Sequence, residues 1–324
     1  MSITSKFVAL KNYIPTGLPK ETDFEIKTKE ICLDTNNNLD EQNSNSLFET
    51  CTNSSVSGLQ RCELEHDSRA RFYYIYSPAE LDENLSVPVL FALHGYGSSA
   101  YRHFNYTNYE SIADANNLVV IYPQGATTST LSTHWNVGGW TSKSDVNDLD
   151  FFETLIDLVK QKIVIDENRI YSSGMSNGGY MSYHLACNLS NKFAAIASVT
   201  GSMTYDTFDD CSPNHPTPIL QIHGLLDFVV RYEGNGGSKS IPDVIDYWIN
   251  YNSCNPNPET FIDYDDFSLV TYDTYLNCLN NVNVKLILHP TMGHYWPNSQ
   301  EYNVSASVEI WNFVSKYDLF GLIN

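Results

Sequence analysis

The hexapeptide Gly174-Met175-Ser176-Asn177-Gly178-Gly179 constrains this chain more than any other stretch, because it follows directly on the strand-like run Arg169-Ile170-Tyr171-Ser172-Ser173. Its serine has a glycine two residues to either side. A strand that breaks abruptly into a helix crowds its own backbone at the corner, and glycine leaves room there. The pattern predicts a strand, a strained turn with Ser176 at its apex, and a helix over 178–188 whose positive N-terminal end lies near that serine. Glycine and serine also crowd into ordinary turns, so the surroundings decide what the motif means.

Those surroundings hold two further groups at strand ends. Pro218-Ile219-Leu220-Gln221-Ile222-His223-Gly224 reads as a buried strand ending in a turn, with Asp227 in the loop that follows. Val284-Lys285-Leu286-Ile287-Leu288 reads as another strand, and the loop after it carries Gly293-His294-Tyr295-Trp296-Pro297. Upstream, Val87-Pro88-Val89-Leu90-Phe91-Ala92-Leu93 is a near-continuous apolar run, as expected of a strand covered on both faces, and leads into His94-Gly95-Tyr96-Gly97. Strand-like segments at 70–76 and 118–122 and helical ones at 151–164 and 304–317 complete an alternation that predicts an α/β fold, with a mostly parallel sheet and helices on both faces.

The order serine, acid, histidine is that of one version of the catalytic triad. A serine hydroxyl is a weak nucleophile at neutral pH, so an imidazole must take its proton and return it to the leaving group. The sequence assigns Ser176 as nucleophile, His294 as base and Asp227 as the carboxylate that orients the imidazole. The tetrahedral oxyanion needs two N–H donors. Asn177, next after the serine, supplies one, and the 94–99 loop the other, from Tyr96 or else from Gly95 or Gly97. Asp148 precedes the nucleophile and is the weaker choice for the triad acid. His94 and His223, each before a glycine, read as structural hydrogen-bonding residues.

With these segments in view, LHGYGSSA (93–100), WNVGGW (135–140), DVNDLDFF (145–152), GMSNGGYMSYHLAC (174–187), IHGLLDFVV (222–230) and GHYWP (293–297) together resemble the esterase and polyhydroxybutyrate depolymerase family of α/β-hydrolases, which includes feruloyl and acetylxylan esterases. The resemblance runs from about Arg71 to the C-terminus and implies an α/β-hydrolase fold and ester hydrolysis. Where the family often has two adjacent aspartates this chain has Asn147-Asp148, which leaves Asp148 as a residue supporting the site from behind. The resemblance also implies disulfides Cys187–Cys211 and Cys254–Cys278, leaving Cys32, Cys51 and Cys62 with at least one unpaired thiol. Such bonds imply an oxidising compartment, secreted or periplasmic, although the Met1 start has no apolar signal-peptide core.

Composition bounds the rest. With 18 basic and 38 acidic residues among 324, a net charge of −20 argues against nucleic acid or an anionic membrane as partner, and no apolar run is long enough to span a bilayer. The expectation is a monomer acting on an ester, polymeric esters included, without metal or organic cofactor. Residues 66–324 are expected to form the catalytic domain and 1–65 an extension, partly loop or disordered. Its Asp34, Asn36, Asn38 and Asp40 resemble a calcium loop only faintly, lacking the central glycine and the terminal acid. Tyr96, Trp135, Trp140 and Trp296 are expected to line the substrate cleft. Hydroxyalkanoate polyesters, feruloyl or acetyl esters on polysaccharide, and other aromatic or aliphatic esters all remain open. So do a peptidase of the same fold and a non-catalytic binding protein on the same scaffold.

Overall fold

The strand Val87–Leu93 (β4) is buried at every position, and its residues divide alternately between two cores, with Val87, Val89, Phe91 and Leu93 on one face and Leu90 and Ala92 on the other. This period of two is what a strand sandwiched between two helical layers requires. The computed structural model describes residues 48–323 apart from 83, 128–131 and 265–268. Cys32 and the 34–40 segment lie outside the described residues.

One eleven-stranded sheet organises the chain. Three strands lead in, Glu49–Asn53 (β1), Leu59–His66 (β2) and Arg69–Tyr76 (β3), and β4 is followed by Val119–Pro123 (β5), Ile165–Met175 (β6), Ala195–Val199 (β7) and Ile219–Gly224 (β8). Glu259–Tyr264 (β9), Leu269–Tyr275 (β10) and Val284–His289 (β11) complete it. The spatial order is β1-β2-β3-β5-β4-β6-β7-β8-β11-β10-β9. The six strands from β5 to β11 are parallel, and the strands on both flanks pair antiparallel.

The crossover helices are Ala100–Thr107 (α1), Glu110–Asn116 (α2), Asp148–Lys160 (α3), Asn177–Asn188 (α4), Tyr205–Asp209 (α5), Ile241–Tyr251 (α6), Ser299–Tyr302 (α7) and Ala306–Val314 (α8). Phe151 and Phe152 of α3, Met181 and Leu185 of α4 and Ile245 and Trp248 of α6 fill one core, while Phe104 of α1, Ala113 of α2 and Ile310 and Val314 of α8 fill the other. None of the described helices is long and apolar enough to cross a membrane.

One expectation changes here. Residues 49–66 are not an extension: β1 and β2 continue the main sheet, with Cys62, Leu64 and His66 buried at alternate positions on one face and Leu59 in the core on the other. The boundary expected at residue 65 would cut the chain at the end of β2. Besides the expected bridges Cys187–Cys211 and Cys254–Cys278, a third joins Cys51 to Cys62, which face each other across β1 and β2.

Candidate active site

Ser176 stands between β6 and α4 with φ 54° and ψ −121°, a conformation costly for a residue with a Cβ. Its N–H donates to Val199 O at 2.9 Å on the neighbouring strand, and its carbonyl accepts from Tyr180 N at 3.0 Å, so the corner is held from both sides. The flanking glycines are sterically required: a Cβ at Gly174 would come 2.2 Å from the carbonyl carbon of Gly178, and one at Gly178 would come 2.1 Å from Leu93 O.

Asp227 and His294 lie on loops after β8 and β11, which are adjacent strands running parallel, so both loops leave the sheet at its C-terminal edge, as Ser176 does. His294 Nδ1 and Asp227 Oδ2 are 2.8 Å apart, with the carboxylate fully buried and the imidazole partly exposed. The other oxygen, Oδ1, accepts the N–H groups of Val229 and Val230 at 2.9 and 2.8 Å. Burial by itself would raise the Asp227 carboxyl, but the hydrogen bond and charge of His294, with help from the Val230 N–H and from His223, hold it below the usual carboxylate range. The acid is therefore ionised and fixed, and the Nδ1–H tautomer it selects leaves Nε2 to exchange a proton. His223 braces this loop by donating to Val230 O through Nε2 at 2.9 Å and accepting from Gln221 through Nδ1 at 3.0 Å.

The loop after β4 abuts the nucleophile, since a Cβ at Gly95 would lie 3.4 Å from that of Ser176. Within it, Gly97 N donates to Thr133 O at 2.8 Å and so is committed to holding the loop. Asn177, the first residue of α4, has its N–H outside the helical ladder. His94 fastens the loop. Its Nδ1–H donates to Gly95 O at 2.8 Å, while Nε2 accepts from Gly125 N at 2.9 Å and from the Gln124 amide at 3.0 Å. Desolvation pushes this imidazole down to about 4, so it is neutral.

The four aromatic residues expected in the cleft part company. Trp135 is fully buried; its indole N–H donates to His94 O at 2.9 Å, and its backbone N and O are gripped by the Asn177 side chain at 2.7 and 3.1 Å. It therefore props the loop from beneath and does not line a cleft. Tyr96 and Trp140 are 47% and 44% exposed and meet edge to face at 6.0 Å. Trp296 is half-buried, donates to Ser307 Oγ at 3.1 Å and packs behind Tyr106, whose hydroxyl contacts Met175 Sδ at 3.5 Å. Asp148 forms a buried ion pair with Arg71 at 2.8 Å and accepts Asn136 N at 2.8 Å, supporting the loop that carries Trp135. Sequence reading overlooked Tyr106 and the exposed Leu226 and Phe228 on either side of Asp227. Apolar residues crowding a polar loop after a strand were the available signal.

A family model described as the prolyl oligopeptidase family matches residues 102–213, a segment that contains the elbow and ends before Asp227 and His294. A bifunctional acetylxylan esterase/xylanase from Neocallimastix patriciarum is 30% identical over 262 residues, covering 78% of this chain and 34% of that protein. Feruloyl esterase B from Piromyces equi is 26% identical over 255 residues, covering 75% and 44%. The chain thus spans less than half the length of either relative. Among solved structures, an acetyl xylan esterase from Aspergillus awamori superposes with a TM-score of 0.55 at 14% identity, over 74% of this chain and 94% of that one. An S-formylglutathione hydrolase from Agrobacterium tumefaciens gives 0.52 at 12% identity, over 75% and 91%. At such identities the likeness to solved structures is one of fold.

Proposed function

We propose that this chain, which is similar to acetylxylan and feruloyl esterases in sequence and shares the fold of an acetyl xylan esterase, is a serine carboxylic-ester hydrolase working through an acyl-enzyme. The observation that carries the reading is Ser176 at a strained strand-to-helix corner, on the same sheet edge as a buried Asp227 bonded at 2.8 Å to His294. In this reading Ser176 Oγ attacks the ester carbonyl as His294 Nε2 takes its proton. The oxyanion accepts the N–H groups of Asn177 and Tyr96. Collapse breaks the bond to the alkoxide, which leaves with the proton from His294, and a water deprotonated by the same imidazole then releases the acid and restores Ser176. An oxyanion donor of this kind contributes about 3 kcal/mol to the transition state.

Tyr96 and Trp140 form one side of the acyl pocket, and Tyr106, backed by Trp296, the other. Aromatic side chains on both sides of the nucleophile suit short or flat acyl groups, and the names of the matched relatives support acetyl and feruloyl esters over hydroxyalkanoate polyesters in this reading. The three disulfides support function in an oxidising, extracellular setting. A side-by-side panel of 4-nitrophenyl acetate, methyl ferulate, oligomeric hydroxybutyrate, a long-chain triglyceride and a proline amide tests the reading. Turnover of the first two well ahead of the others is expected. Preference for the triglyceride would overturn the pocket, and preference for the amide would make the chain a peptidase, the reading favoured by the prolyl oligopeptidase match.

A further inference from the structure

The loop after β8 reverses the usual order of burial. In Leu225-Leu226-Asp227-Phe228-Val229 the one charged residue is buried and the four apolar ones are exposed, Phe228 at 77% and Val229 at 64%. Tyr295, next to His294 on the loop after β11, is exposed as well. Exposed apolar residues scattered singly are ordinary, but five on two touching loops form a patch that folding alone does not explain.

The patch is built on a fixed backbone. Leu225 N and Leu226 N donate to His289 O at 3.0 Å and Met292 O at 3.1 Å, stitching the two loops together. Asp227 Oδ1 accepts the N–H groups of Val229 and Val230, closing a turn around Phe228. The Tyr295 ring folds back over Gly293, where a Cβ would lie 3.2 Å from it and 3.6 Å from Leu226 O, and it stacks on Tyr302 at 6.2 Å. A surface held in this way loses little freedom when something covers it.

The chemistry of the triad says what covers it. The proton that His294 Nε2 takes from Ser176 passes to the alkoxide oxygen as the acyl–oxygen bond breaks, so the first carbon of the alcohol lies beside His294. The alcohol therefore extends over the residues around the Asp227–His294 pair, and these are Leu226, Phe228 and Tyr295. From Leu225 to Val230 the single polar side chain is Asp227, which is spent on His294 and on two backbone N–H groups. An alcohol with many hydroxyls would lose water there without gaining partners, whereas an alkyl or aryl alcohol would shed only apolar hydration.

We infer that Leu226, Phe228 and Tyr295 form the subsite for the leaving alcohol, and that the alcohol it takes is apolar, alkyl or aryl. The inference deepens the ester-hydrolase reading and rests on it.

Acetates that differ only in the alcohol test it: methyl, butyl, hexyl and benzyl acetate, and a monoacetylated methyl xyloside. Full burial of a methylene is worth about four-fold, and a wall on one side about half that free energy, so kcat/KM should rise about two-fold per methylene from methyl to butyl acetate. Hexyl and benzyl acetate should both outrun the xyloside ester. Phe228→Ser and Leu226→Ser, at exposed positions, should each cut the butyl-to-methyl ratio about three-fold, and Phe228→Leu should restore most of it. The ratio of methyl ferulate to methyl acetate should stay the same in all three. A flat or falling profile in the wild type, faster turnover of the xyloside ester, or serine variants that keep the butyl-to-methyl ratio would overturn the subsite. A change in the ferulate-to-acetate ratio instead would put the loop on the acyl side and overturn it too. So would a dimer, seen by sedimentation, that comes apart in Phe228→Ser, since the patch would then be a contact between copies. A readout without catalysis separates the subsite from the reading beneath it: Nile red should fluoresce on the Ser176→Ala protein, be displaced by 1-hexanol and not by xylose, and lose signal when Phe228→Ser is added. Absence of that displacement would overturn the subsite. A wild type that hydrolyses none of the acetates while the displacement holds would sink the ester-hydrolase reading alone.

Discussion

Acid should unfold this protein early, because its buried histidines are held neutral. Desolvation pushes His94, His184 and His223 from 6.5 down to about 4, and His103 well below 6.5. Their folded-state values lie below the unfolded ones, so the unfolded chain binds more protons between these limits. Stability is fully present above pH 6.5 and drains away as pH falls toward 4. At pH 5 a group shifted from 6.5 to about 4 costs about 2 kcal/mol relative to neutrality, so the first three together cost about 6 kcal/mol, a large share of a typical total of about 5–15 kcal/mol. Asp227, whose carboxyl is held low, adds to the loss only at lower pH, while Glu110, raised by burial, works the other way as a single group. His94 ties this loss to the site: protonation at Nε2 would set a donor against the Gly125 N–H and the Gln124 amide that now converge there. Urea unfolding at pH 7 and pH 5, both in 0.15 M salt to damp the relief of the −20 charge, measures the effect. A drop of several kcal/mol at pH 5 is expected, with a smaller drop in His184→Gln. A stability that changes by less than about 1 kcal/mol between the two pH values would refute the argument.

Removing the bridge across 24 residues with Cys187→Ala/Cys211→Ala should cost about 3 kcal/mol in urea unfolding, and an unchanged midpoint would contradict that bond. Gly178→Ala drives a Cβ against Leu93 O and should lose about 1–3 kcal/mol of stability along with most ester turnover, which thermal melts and kcat/KM can follow. Trp140→Ala should lower kcat/KM for methyl ferulate several-fold more than for 4-nitrophenyl acetate, since only the aromatic acyl group loses a face worth about 1 kcal/mol; equal losses would remove Trp140 from the acyl pocket.

Much of the parallel core was legible because its strands are apolar runs bounded by turn residues, as at Val87–Leu93 and Ile219–Gly224, while the more polar β6 was read from the glycine-flanked serine that ends it. The flanks were harder to read. β2 buries alternate residues only from Cys62 onward and follows an asparagine-rich stretch, so the short pattern of Cys62 and Leu64 passed as part of an extension. β9, ETFIDY, lies at the sheet edge and has no fully buried residue, which leaves little hydrophobic signal. The chain order of Ser176, Asp227 and His294 could be read because loops after parallel strands must emerge on one edge. Trp135 misled for a physical reason: a tryptophan in a glycine-rich loop reads as a cleft wall, and only contacts 41 and 42 residues away, to His94 and Asn177, draw it inside. The Cys51–Cys62 bond likewise depends on strand register, which an odd count of cysteines does not reveal.

Covalent trapping at the nucleophile tests the central claim most directly. Wild-type protein treated with a fluorophosphonate and examined by intact mass and peptide mapping should carry one adduct, on Ser176. Labelling should fall by orders of magnitude in His294→Ala, and Ser176→Ala should lose nearly all ester turnover while its melting profile stays cooperative. An adduct on another residue, no adduct on an active protein, or a Ser176→Ala variant that keeps a substantial share of the activity would contradict the account.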